Sequence, residues 1–127
     1  MAHVMLVEDD EATRYATQRA LEQAGHAVAP FGDPDAALDA LTQLPPDVLV
    51  LDYGFRGTSR DGSAIADRAR ALRRDVRVIF MTGYPDAAVV LSRCYLVLPK
   101  PVNMGRLLAA VRAATLHVSV DAVAPRG

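Results

Sequence analysis

Of the 14 basic residues in this 127-residue chain, only Lys100 is a lysine. A sequence that uses arginine wherever a plain positive charge will serve has placed one compact, flexible ammonium between Pro99 and Pro101. Acids are gathered too: Glu8, Asp9, Asp10 and Glu11 directly follow one apolar run, and Asp52 follows another. Thr82-Gly83 closes a third. Singly, each has an ordinary structural explanation. Carboxylates ahead of a helix cap it and favour its dipole, and an Asp or a Thr-Gly after a strand commonly makes a turn. Brought to one place, they describe something else. Two carboxylates about 4 Å apart repel by roughly 4 kcal/mol at an effective dielectric of about 20, so a crevice collecting three or more needs a cation or raised pKa values. An all-oxygen donor set suits a hard ion, and Mg2+ characteristically takes one or two carboxylates with waters and a phosphate oxygen. His3, His26 and His117 are scattered and offer no softer ligand set. Carboxylates for Mg2+, a hydroxyl and an ammonium are the parts of a site that handles phosphoryl groups.

Such a site exists only if the fold brings positions 8–10, 52, 82 and 100 together. Four apolar runs, HVMLV (3–7), DVLVL (47–51), VRVIFM (76–81) and YLVL (95–98), do not alternate with polar residues. That is how strands buried on both faces of a parallel sheet read. HAVAPF (26–31) is a weaker fifth. Helical patterns lie between them: 11–24, with Asp10 a candidate N-cap and Gly25 past the end; one opened by Asp33-Pro34; 63–72; a short candidate at 86–92; and one after Asn103. The alternation predicts an α/β, flavodoxin-like doubly wound (βα)5 fold with a five-stranded parallel sheet in the order 2-1-3-4-5. Ligands in such sheets bind at the carboxyl ends of the strands, so Glu8, Asp9, Asp10 and Asp52 converge, with Thr82 and Lys100 on the neighbouring strands. One domain is expected over residues 1–118, with 119–127 a flexible C-terminal tail.

The composition excludes several classes. A net charge of −1 leaves no electrostatic footprint for nucleic acid. No apolar run reaches the length of a membrane span, and one cysteine excludes an internal disulfide and fits a reducing compartment. A soluble, cytoplasmic protein is expected, with Cys94 packed as a small hydrophobe. Arg68, Arg70, Arg73, Arg74 and Arg77 read as a solvated face, since Asp67 and Asp75 interleave with them.

MLVEDDEATR, PDVLVLDYG, VIFMTG and LPKP, in this order, resemble the receiver domain of two-component response regulators, over residues 3–116. The resemblance implies that Asp52 accepts a phosphoryl group from a histidine kinase or a histidine phosphotransfer protein. It implies Mg2+ as cofactor, held by Asp9 and Asp10 as the acidic pair, by Asp52 and by the backbone carbonyl of Gly54. Thr82 resembles the switch hydroxyl, Lys100 the lysine that pairs with a phosphoryl oxygen, and Pro101 the proline after it, commonly in a cis bond. Gly83 leaves room beside Thr82, and Tyr84 and Gly54 stand at positions that tune hydrolysis. The output is a change in binding to an unidentified downstream protein, without nucleic-acid binding or membrane insertion. The resemblance thus implies a phosphoacceptor signalling domain and not an enzyme acting on a separate substrate.

Three departures stand out. The stretch YGFRGTSRDG (53–62) is longer than the usual loop and lacks its proline. Val97 stands where the family carries an aromatic switch residue, leaving Tyr95, on the same face of the strand, as the substitute. Only 17 residues separate Thr82 from Lys100, which leaves the fourth helix about two turns. Alternatives to a single-domain regulator are a receiver-fold adaptor independent of phosphorylation and the excised receiver of a hybrid histidine kinase. An aspartyl-phosphate phosphohydrolase is disfavoured, because Gly54 has no side chain to protonate a leaving group.

Overall fold

The apolar runs become strands whose side chains leave alternately toward two faces. In β1 (His3–Val7), Met5 and Val7 enter one core cluster while Val4 and Leu6 enter the other. β3 (Val48–Asp52) and β4 (Arg77–Thr82) divide in the same way, Leu49, Leu51, Val78 and Phe80 against Val48, Val50, Ile79 and Met81. A strand apolar at every position therefore needs helices on both sides. α2 (Pro34–Gln43), α3 (Gly62–Leu72) and α4 (Pro85–Leu91) cover one face through Ala37, Leu41, Ile65, Ala66, Ala69 and Leu91. α1 (Glu11–Gln23) and α5 (Met104–Val123) cover the other through Leu21, Leu107 and Val111. The computed structural model describes residues 2–54 and 62–123.

The sheet is parallel in the order β2-β1-β3-β4-β5. β2 (Ala27–Phe31) and β5 (Leu96–Pro99) are its edges, and an edge position tolerates Pro30, which has no N–H for a ladder. From β1 the chain goes out to β2 and returns on the other side as β3, so the loops after β1 and β3 part and leave a crevice at their carboxyl ends. All five strands and the short fourth helix stand where the sequence places them, within a residue or two at each end.

Two expectations change. α5 continues to Val123, so a helix occupies the first part of the stretch read as a tail; no glycine or proline interrupts the chain between Gly105 and Pro125. Residues 124–127, and 55–61 of the long loop, lie outside the described residues. Cys94 is exposed, not packed: it sits in the turn between α4 and β5, where the chain leaves the core. Among the described residues, no helix is long and apolar enough to cross a membrane.

A candidate phosphoryl-handling crevice

Four loops supply the site, and each delivers its residue at the point where a strand stops. Asp52 is the last residue of β3 and lies opposite Met81, so Thr82 ends β4 one step further on. Thr82 pairs in register with Pro99, and the Lys100 N–H donates to the Thr82 carbonyl at 2.9 Å. Lys100 thus leaves β5 pointing back across the sheet. Its Nζ lies 2.6 Å from Asp52 Oδ1 and 2.8 Å from Glu8 Oε1. An edge strand reaches the centre of the sheet here, which a flexible four-carbon stem permits. The Lys100–Pro101 bond is cis.

Glu8, which follows β1, is fully buried, and Asp52 is 3% exposed. Burial and the hydrogen bond with Glu8 push the Asp52 carboxyl up to about 8, with Lys100 pulling the other way. Burial opposes ionisation of Glu8 as well, but hydrogen bonds from Asp52, Lys100 and the Asp10 N–H hold its carboxyl below the ordinary range. The two acids titrate as a coupled pair, with Asp52 the harder to ionise. Lys100 is raised: burial disfavours its charge, and the two carboxylates outweigh that.

The sequence reading gave Asp9 and Asp10 as the acidic pair. Carboxylate oxygens of Glu8, Asp9 and Asp52 come within 4.8 Å of one another and could hold a metal ion. Asp10 lines the same crevice, but its Oδ2 accepts the Thr13 N–H at 2.9 Å and caps α1. Its carboxylate is turned to the helix because the first turn leaves N–H groups unsatisfied. The capping signal was legible: an Asp directly ahead of Glu11 with a Thr three residues on. Three carboxylates, one of them holding a proton well above its ordinary range, fit a hard divalent cation such as Mg2+.

The crevice has a volume of about 380 Å3, and Gly54, Thr82, Gly83 and Tyr84 complete its wall. Thr82 is buried, and its Oγ accepts the Tyr84 N–H at 3.0 Å. The exposed Tyr84 ring lies beside Gly54, where an added Cβ would meet Tyr84 Cε2 at 3.8 Å. At Gly83 an added Cβ would meet Lys100 Cβ at 3.9 Å, an ordinary contact. Tyr95 and Val97 do not line the crevice. Both are half-buried on the α4 side, where the Tyr95 ring packs edge-on against Phe80 at 5.0 Å and under the Arg70 guanidinium at 4.5 Å. Arg73 serves structure, bonding Asp47 at 2.7 Å and Asp75 at 2.9 Å.

A family model described as the response regulator receiver domain matches residues 4–112. The chain is 33% identical over 116 residues to the DNA-binding transcriptional regulator NtrC of Klebsiella pneumoniae, an alignment covering 88% of this chain and 24% of that protein. It is 32% identical over 114 residues to the response regulator receiver protein CpdR of Brucella abortus, covering 85% of this chain and 92% of that protein. The chain spans about a quarter of the length of the NtrC relatives it matches. Among solved structures, the apo receiver domain of nitrogen regulatory protein C superposes with a TM-score of 0.77 at 32% identity, covering 91% of this chain and 95% of that one. NtrX from Brucella abortus, in complex with ADP, superposes with a TM-score of 0.83 at 25% identity, covering 99% of this chain and 30% of that one.

Proposed function

Because the chain belongs to the response regulator receiver domain family, we propose that it takes a phosphoryl group from a phosphohistidine onto Asp52 and changes the surface it offers a protein partner. The observation that supports this most is the contact of one ammonium with two buried carboxylates, Lys100 with Asp52 and Glu8, beside the Thr82 hydroxyl. An Asp52 oxygen attacks phosphorus while the P–N bond to the donor imidazole breaks, and the imidazole leaves with the electron pair. The attack needs an ionised carboxylate, and Lys100 pulls toward that form against burial and Glu8. Glu8, Asp9, Asp52 and the Gly54 carbonyl would hold Mg2+, which supplies positive charge against the crowded acids and the incoming phosphoryl oxygens. Lys100 then turns from Asp52 to a phosphoryl oxygen, and Thr82 gives its hydroxyl proton, unused in the bond from Tyr84, to another.

With Val97 at the family's aromatic position, the output runs through α4. That helix has seven residues and no side-chain N-cap bond, and its Val89 and Val90 stand exposed while Leu91 is buried. Ordering of this segment is the change a downstream protein reads. Incubation with acetyl phosphate and Mg2+ followed by intact mass tests the phosphoacceptor reading. One added phosphoryl group is expected, absent in Asp52→Asn and in chelator. Wild-type protein that gains no mass from a competent donor refutes it.

A further inference from the structure

Glu8 is held at every polar atom. Its N–H donates to the Phe31 carbonyl at 3.0 Å, Oε2 accepts the Asp10 N–H at 3.1 Å, and Oε1 accepts from Lys100 at 2.8 Å. The remaining group, its backbone carbonyl, lies where β1 has stopped and α1 has not begun. Arg14, from the second turn of α1, donates to it through Nη1 at 2.9 Å. The guanidinium lies there because position 32 has no side chain. A Cβ on Gly32 would come within 2.6 Å of Arg14 Nη1 and 3.1 Å of Cζ. The Gly32 backbone does not adopt positive φ; among the described glycines Gly25 does. What Gly32 provides is therefore space, not conformational freedom.

We propose that Arg14 is a positioning residue for Glu8, seated on Gly32, and that the pair sets how firmly the crevice holds its divalent cation. Arg14 fixes the peptide from which the Glu8 carboxylate projects. Outer partners that orient a ligand typically change metal affinity by about 10–100-fold when removed. The inference rests on the Mg2+-dependent reading above.

The test uses Gly32→Ala, Arg14→Met and the double variant. An alanine at 32 needs only the far end of a flexible side chain to move, so Gly32→Ala should keep an unfolding midpoint close to wild type. By calorimetry, each single variant should bind Mg2+ about tenfold more weakly than wild type. The double variant should be no weaker than Arg14→Met alone, since both changes remove one interaction. Lys100 is the only lysine, so 13Cε/15Nζ-lysine labelling yields one side-chain signal that reports directly on its contact with Glu8. That signal should move in cation-free Gly32→Ala and Arg14→Met. Unchanged affinity with an unmoved Lys100 signal, or losses that add in the double variant, overturns the proposal. Wild-type protein that fails to bind Mg2+ counts against the phosphoacceptor reading instead, and the cation-free Lys100 signal still decides whether Arg14 positions Glu8.

Discussion

Replacing Asp52 by asparagine should stabilise the cation-free protein, and by an amount that depends on pH. The Asp52 carboxyl rises from an ordinary 3.8 to about 8 in the folded state. At about 1.4 kcal/mol per pKa unit this is a ceiling of roughly 6 kcal/mol against folding with Asp52 ionised. Glu8 shifts the other way because the two acids are coupled, which returns part of that cost, so the net penalty lies below the ceiling. A group whose pKa is raised by folding contributes its full stability below the unfolded value and loses it as pH climbs through the folded value. The advantage of Asp52→Asn should therefore be small near pH 4, grow up to about pH 8 and flatten above it. Asparagine is neutral and can donate to Glu8, as the protonated acid does. In a domain of this length each kcal/mol of the gap at pH 8 corresponds to roughly 4 °C in the unfolding midpoint. Thermal unfolding followed by circular dichroism, in chelator and again in excess Mg2+, measures it. Mg2+ stabilises the wild type by binding the native state and should close the gap. An Asp52→Asn protein less stable than wild type at pH 8 in chelator, or a gap that does not change with pH, refutes the account of crowded carboxylates.

Asp9→Asn and Asp10→Ala should separate: the first weakens Mg2+ binding without loss of fold, and the second costs about 1 kcal/mol of stability as a lost helix cap while binding changes less. Urea unfolding and calorimetry on both variants decide this, and equal losses of affinity would restore Asp10 to the metal set. Gly62→Ala should destabilise by about 1–3 kcal/mol or more, because its Cβ would run into the Asp52 carbonyl oxygen and stand 2.8 Å from Phe80 Cε1; a wild-type unfolding midpoint would contradict the packing. Amide exchange in 84–94 should be the fastest among the helices of the unphosphorylated domain and should slow with a phosphoryl mimic on Asp52, since a seven-residue helix has little stability of its own. Equal, strong protection in both states would move the switch elsewhere.

The five strands, the crossover helices and the positions of Asp52, Thr82 and Lys100 could be read from the chain because each rests on a local signal. An unbroken apolar run needs burial on both faces, and the polar residue that ends it must lie at the sheet's carboxyl edge. The two-turn α4 followed from counting residues between Thr82 and Lys100. Among the four adjacent acids the capping pattern marked Asp10 for the helix, but no local signal said which of the others would turn inward. That choice was settled by competition between two environments: the first turn of α1 took the Asp10 carboxylate, while Lys100 and the Asp10 N–H took that of Glu8. The seat of Arg14 on Gly32 joins the first turns of α1 to the end of β2, and the rise of the Asp52 carboxyl to about 8 arises from burial beside Glu8. Both depend on groups far apart in the chain. Local pattern determined which residues reach the crevice, and only the tertiary structure decided which atoms meet there, because packing and charge act between neighbours in space.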